Sequence, residues 1–131
     1  MDVTIITNNK LVFEKYSSKI ETVYLSESKY LEVLEYVRDA IHSGHKLLTH
    51  PLSGSVKPND TPFKSIVIGT KQSSLDYDSL SIIEESIASA KKFINGRGTP
   101  NWTDKVLDDF RLIDSTIINS AITSMNGKYI G

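Results

Sequence analysis

Cysteine is absent from the 131 residues. That excludes disulfide staples, thiolate nucleophiles, cysteine-ligated zinc and iron–sulfur clusters. Apolar runs of membrane length, about 20 residues, are also absent. Met1-Asp2-Val3-Thr4 opens with neither a basic segment nor an apolar one. A secretory leader is therefore not expected, and the cytoplasm is the expected compartment. Net charge is scarce too, at −1, which gives no electrostatic basis for binding nucleic acid. Neither G-x-x-x-x-G-K-[ST] nor G-x-G-x-x-G occurs, so the phosphate-loop and dinucleotide fingerprints fail, and no cofactor is expected.

What is present is globular. Hydrophobic residues make up 39% and charged residues 24%, and the length suits one domain spanning 1–131. Charge is unevenly spread. Between residues 43 and 73, Lys46, Lys57, Lys64 and Lys71 face Asp60 alone, a local net of +3. Proline is rare but clustered: Pro51, Pro58 and Pro62 are three of the four.

Periodicity orders the chain. Val3 to Thr7 is a β-branched run that reads as a strand buried on both faces. Asn8-Asn9 stops it, and asparagine caps helices well, so a short helix is expected over 10–18. A weaker strand runs from Ile20 to Leu25. Tyr30, Leu34, Val37 and Ile41 share one face of a helix over 28–43, and Gly44 sits where a C′ glycine belongs. A short strand follows over 46–49. The segment 50–62, with its prolines and Gly54, is a stiffened loop; a loop this long in a small domain is commonly functional. Lys64 to Gly69 is the next buried strand. Two long helices close the chain. The first, 77–95, has Leu80, Ile83, Ile87, Ala90 and Ile94 as its stripe. The second, 103–125, has Val106, Phe110, Ile113, Ile117, Ala121 and Met125. Strands alternating with helices predict an α/β fold: a small, mostly parallel four-stranded sheet in the order 2-1-3-4, with helices on both faces. The direction of the fourth strand stays open, because no helix crosses between strands three and four.

Ligands of open α/β sheets bind beyond the carboxyl ends of the strands, where the order reverses. That places Asn8 and Asn9 beside the exit of strand three, Thr49 to Lys57. Ser53-Gly54-Ser55 offers hydroxyls and close backbone approach, Lys57 a positive charge, and the Asn8-Asn9 helix start a positive dipole end. Asn8, Asn9, His50, Ser53, Gly54, Ser55 and Lys57 are therefore the candidate residues for a small anionic ligand. His50 is a weak candidate general base; the plainer reading is that it holds the loop. His42, His45 and His50 make no convincing metal set, because Gly44 interrupts their spacing and no carboxylates accompany them.

The stretch Gly44 to Asn59, GHKLLTHPLSGSVKPN, continuing through Thr61-Pro62-Phe63-Lys64-Ser65, resembles the signature of the GrdX family, as does Ile6-Thr7-Asn8-Asn9. The resemblance implies a setting rather than a reaction: the selenoenzyme system that reduces glycine or related amines and yields acetyl phosphate. It assigns no catalytic residue. Three functions follow as expectations. One is an accessory binding protein, with glycine reductase components as partners. Another is a small enzyme using His50 with Ser53 or Ser55 on an acyl or phosphoryl group. The third is an interaction subunit, or homo-oligomer, that docks through its last helix.

Overall fold

A computed structural model describes residues 2–54 and 56–125. The elements run β1 (Val3–Thr7), α1 (Lys10–Tyr16), β2 (Glu21–Tyr24), α2 (Tyr30–His42), β3 (His45–Leu47), β4 (Ser65–Lys71), α3 (Tyr77–Gly96) and α4 (Asp104–Met125). All eight expected segments form. Asn9 caps α1, its side chain accepting the Leu11 N–H at 3.0 Å. Asp76 caps α3, accepting the Ser79 N–H at 3.1 Å. Gly44 ends α2 with φ +109°, and a Cβ there would lie 2.5 Å from the Gln72 carbonyl oxygen, so only glycine fits without strain.

The sheet corrects the sequence reading. Its order is β2-β1-β4-β3 rather than 2-1-3-4, and it is mixed rather than mostly parallel. Only β1 and β2 pair parallel; β4 is antiparallel to both β1 and β3. The reason lies in the two strands that exchange places. Ser65 to Gly69 in β4 is buried throughout, and a strand apolar on both faces belongs in the middle of a sheet. β3 has three residues, none fully buried, and suits an edge. Without a crossover helix, β4 returns antiparallel to β3, as connection rules require.

Two helical layers cover the sheet. α2 and α3 pack over Ile6, Ile66 and Ile68. α1 and α4 pack over Val3, Ile5 and Val67. α4 is rotated from its expected phase: Asp114, Ile118 and Ile122 point inward, while Ile113 is 40% exposed. No described helix is long and apolar enough to cross a membrane.

The reversal of β4 decides what meets at the rim. Thr7 pairs with Ser65, so the carboxyl end of β1 adjoins the amino end of β4. Gly69 to Lys71, which a parallel fourth strand would have brought to this rim, lie at the opposite one. The loop 48–64 therefore arches over the junction of Asn8, Asn9, Lys64 and Ser65.

Candidate functional site beneath the 48–64 loop

Side-chain donors hold this loop by its backbone carbonyls. Tyr30 Oη donates to Pro51 O at 3.4 Å, Lys64 Nζ to Ser53 O at 3.3 Å, Asn8 Nδ2 to Pro62 O at 2.8 Å, and Trp102 Nε1 to Asp60 O at 2.6 Å. Trp102 also lies tilted against Phe110, with ring centroids 5.7 Å apart. Irregular backbone over a rim leaves carbonyls without ladder partners, and these donors satisfy them.

Below the loop sits a buried polar network. The Asp114 carboxylate accepts the Ser65 N–H at 3.1 Å, the Ser65 hydroxyl at 2.7 Å and the Asn9 amide at 3.0 Å. Because Ser65 Oγ gives its proton to Asp114, the Thr7 hydroxyl must donate to Ser65 (2.7 Å); Thr7 Oγ1 in turn accepts the Asn9 N–H at 2.9 Å. The four residues form one directed chain of hydrogen bonds joining β1, β4 and α4.

Asp114, Lys64 and Tyr30 line a narrow cleft of about 20 Å³, with Ser53 at the loop side and Phe63, Phe110 and Ile113 among its apolar walls. That volume admits roughly one water-sized group. Lys64 is 4% exposed and Asp114 6%, which is rare for charged side chains. Burial lowers the Lys64 ammonium below the ordinary lysine range, and the Asp114 charge counteracts only part of this. Burial raises the Asp114 carboxyl, against the pull of Asn9, Ser65 and Lys64. The Tyr30 phenol is pushed well above its usual range by burial and then by Asp114. For both charges, then, desolvation outweighs their mutual attraction. A roomier groove of about 470 Å³ is also lined by Tyr30, with Leu31, Pro62 and Ile94, but among the described residues that line it the one charged side chain, Lys29, is exposed.

The family model for GrdX-like proteins matches residues 4–123. The chain belongs to the GrdX-like family. No curated protein and no solved structure matches it. The matched span takes in most of β1, the loop and most of α4, so every described group of the GrdX-like cleft lies within it.

Within this GrdX-like fold the expected residues divide into two groups. Asn8 and Asn9 are buried and committed to the protein. Asn8 Nδ2 also donates to Ser28 O at 2.9 Å, and its Oδ1 accepts the Lys64 N–H at 2.9 Å. Asn9 Nδ2 also donates to Arg111 O at 2.8 Å. His50, Ser53, Gly54 and Lys57 are exposed on the loop. The His50 Nδ1 accepts the Leu52 N–H at 3.1 Å, the Ser53 N–H goes to His50 O at 3.1 Å, and Lys57 O accepts from Asp60 and Thr61. Among the described residues no hydrogen bond joins the His50 and Ser53 side chains. Gly54 has φ +94°, and a Cβ there would sit 2.6 Å from Ile117 Cδ1. Ser55 lies outside the described residues. The two groups meet through one residue, Lys64, whose N–H binds Asn8 and whose Nζ binds Ser53. His45 Nδ1 donates to Gly69 O at 2.8 Å at the opposite rim. Among the described residues no group of three His, Asp or Glu side chains could hold a metal ion.

Sequence reasoning expected no acid at this rim, and α4 supplies Asp114. Its signal was legible: Asp114, Ile118 and Ile122 repeat every fourth residue, so a carboxylate occupies a core position. Lys64 directly precedes the most buried strand, and Tyr30 stood in the inner stripe of its helix without a role.

Proposed function

We propose that the protein is a small-ligand-binding accessory component of the glycine reductase system, working in the cytoplasm. Its ligand presents an anionic or carbonyl oxygen to Lys64 beneath the 48–64 loop. One observation carries this reading: hydrogen bonding in the cleft is unbalanced. Asp114 receives three protein donors, so its charge is spent inside the fold. Among the described residues the Lys64 ammonium gives one long bond, to Ser53 O at 3.3 Å. A buried ammonium has three donors to satisfy, and leaving charge unsolvated costs several kcal/mol. An acceptor oxygen supplied by a ligand offsets that cost. The small-anion expectation is thereby kept, with Lys64 rather than the exposed Lys57 as its cation. The family gives the setting.

Thermal shift with phosphate, acetate, acetyl phosphate and glycine tests it. At a hundredfold excess over Kd a ligand adds about 2.7 kcal/mol, several degrees in Tm for a domain this size. Stabilisation by at least one, kept in Lys57→Ala and lost in Lys64→Met, is expected. A folded protein that responds to none refutes the reading.

A second reading, an interaction subunit or homo-oligomer, draws on α4. Leu112 is 60% and Ile113 40% exposed, beside a shallow depression of about 360 Å³ at Gly54, Thr116 and Ile117. Light scattering that shows a monomer at high concentration, with no capture of glycine reductase subunits, removes it.

A further inference from the structure

We propose that Lys64 acts as a nucleophilic amine and that the cleft takes short aldehydes or ketones, which it holds as an imine. The inference rests on the cleft being the ligand site, and it does not depend on the ligand's charge. Four observations carry it. Lys64 is 4% exposed and lines the cleft together with the apolar Val56, Phe63, Phe110 and Ile113 and the polar Ser53 and Thr61, surroundings that solvate an ammonium less well than water does. The one hydrogen bond of its Nζ among the described residues goes to a carbonyl at 3.3 Å. Asp114, the group that would fix a proton on it, is held instead by Ser65 and Asn9 and forms no ion pair with it among the described residues. The cleft also holds a second proton carrier, the Tyr30 phenol, which burial and the Asp114 charge keep protonated. A desolvated lysine in an apolar pocket is the usual arrangement for imine chemistry, because only the unprotonated amine attacks. The lowered proton affinity of Lys64 agrees with the geometry.

The step balances without an oxidant or reductant. The nitrogen lone pair attacks the carbonyl carbon, forming the C–N bond, and the carbonyl oxygen takes a proton, giving a carbinolamine. The hydroxyl then takes a second proton and leaves as water while the nitrogen, having given up both of its protons, forms the imine. Amine and aldehyde give imine and water, and the proton borrowed from Tyr30 returns to it. A space of about 20 Å³ admits the carbonyl and little beside it. The substrate is therefore short, with any remainder lying at the mouth beside Ile113 and Ile117.

The test treats the wild-type chain at neutral pH with glyoxylate or acetaldehyde and cyanoborohydride, and maps the reduced adducts by peptide mass spectrometry. Lys64 should be labelled several-fold faster than the exposed Lys57 and Lys71, and the preference should vanish in urea. Equal or slower labelling of Lys64 overturns the proposal. Glycolate, an anion of similar size without an aldehyde, separates this failure from that of the binding site. If glycolate raises Tm while Lys64 stays unlabelled, the cleft binds and the imine is refuted; if neither occurs, both readings fall. Tyr30→Phe should slow trapping several-fold while glycolate binding persists, and an unchanged rate refutes Tyr30 as the proton donor.

Discussion

Asp114→Ala is the sharpest perturbation of this fold. It removes the acceptor of three hydrogen bonds, from the Ser65 N–H, the Ser65 hydroxyl and the Asn9 amide. Asn9 Nδ2 keeps its other bond, to the Arg111 carbonyl, and the Ser65 hydroxyl can give its proton to Thr7 if the Thr7 hydroxyl stops donating to it. The Ser65 N–H loses Asp114 at a buried position, which costs about 1–3 kcal/mol. Lys64 also loses the nearby buried charge that partly offsets its desolvation, and a less compensated buried ammonium costs about 1–3 kcal/mol more. The carboxylate's own burial works the other way, as its raised proton affinity shows. The net expectation is about 3–4 kcal/mol for Asp114→Ala, and less for Asp114→Asn, which keeps one acceptor oxygen. Domains hold about 5–15 kcal/mol in total, so the loss is large. Urea unfolding followed by Trp102 fluorescence and circular dichroism reads it. With an m-value of about 1–3 kcal/mol/M, Cm should fall by roughly 1–4 M at unchanged m. Asp108→Ala is the control: Asp108 sits on the same helix, its side chain 74% exposed and paired with Arg111, and such pairs contribute little. Equal Cm values for the two variants would refute the assignment of Asp114 as the keystone of the rim.

Gly44→Ala should cost more than Gly54→Ala, each about 1–3 kcal/mol, because the new methyl meets a backbone carbonyl at 2.5 Å in the first case and the flexible end of Ile117 at 2.6 Å in the second; denaturant midpoints in the reverse order would contradict this. Alkaline stability should carry two opposed limbs. Lys64 titrates below the ordinary 10.5 when folded, so its burial penalty is present at low pH and relieved as pH rises towards 10.5. Tyr30 titrates above 10.0, so its contribution holds below pH 10 and is lost above it. Lys64→Met should abolish the rise and Tyr30→Phe the fall, as read by Tm against pH. Trp102→Phe keeps a ring against Phe110 but deletes the N–H to Asp60 O; limited proteolysis should then cut faster within 50–62 while the far-ultraviolet spectrum stays native.

Local pattern made much of this legible. The strand at 3–7, the helices and the stiff proline loop are written in spacing, caps and turn residues, and they form within a few positions of where that spacing puts them. Sheet order was not legible, because it depends on a competition: Ile66 to Gly69 needs two covered faces and β3 does not, so β4 takes the central place. The phase of α4 failed for a related reason. Two stripes one residue apart are both apolar, Ile113-Ile117 and Ile118-Ile122, and only packing against Val67 and α1 selects the second. Choosing that phase would have exposed Asp114 as a core carboxylate. The cleft itself is a long-range object. Lys64, Asp114 and Tyr30 have no spacing in common, and the reversal of β4 is what gathers them. The outer loop residues, chosen because they looked chemical, lie in the open, while Asn8 and Asn9 serve as struts.

The antiparallel insertion of β4 also sets an order of assembly. β1 emerges first and finds β2 within about twenty residues, yet its other edge waits for a partner some sixty residues downstream. During synthesis, at about 5–20 residues per second, that apolar edge stands open for several seconds, and an open edge templates intermolecular pairing. The strand that finishes the rim thus also ends the chain's most aggregation-prone interval.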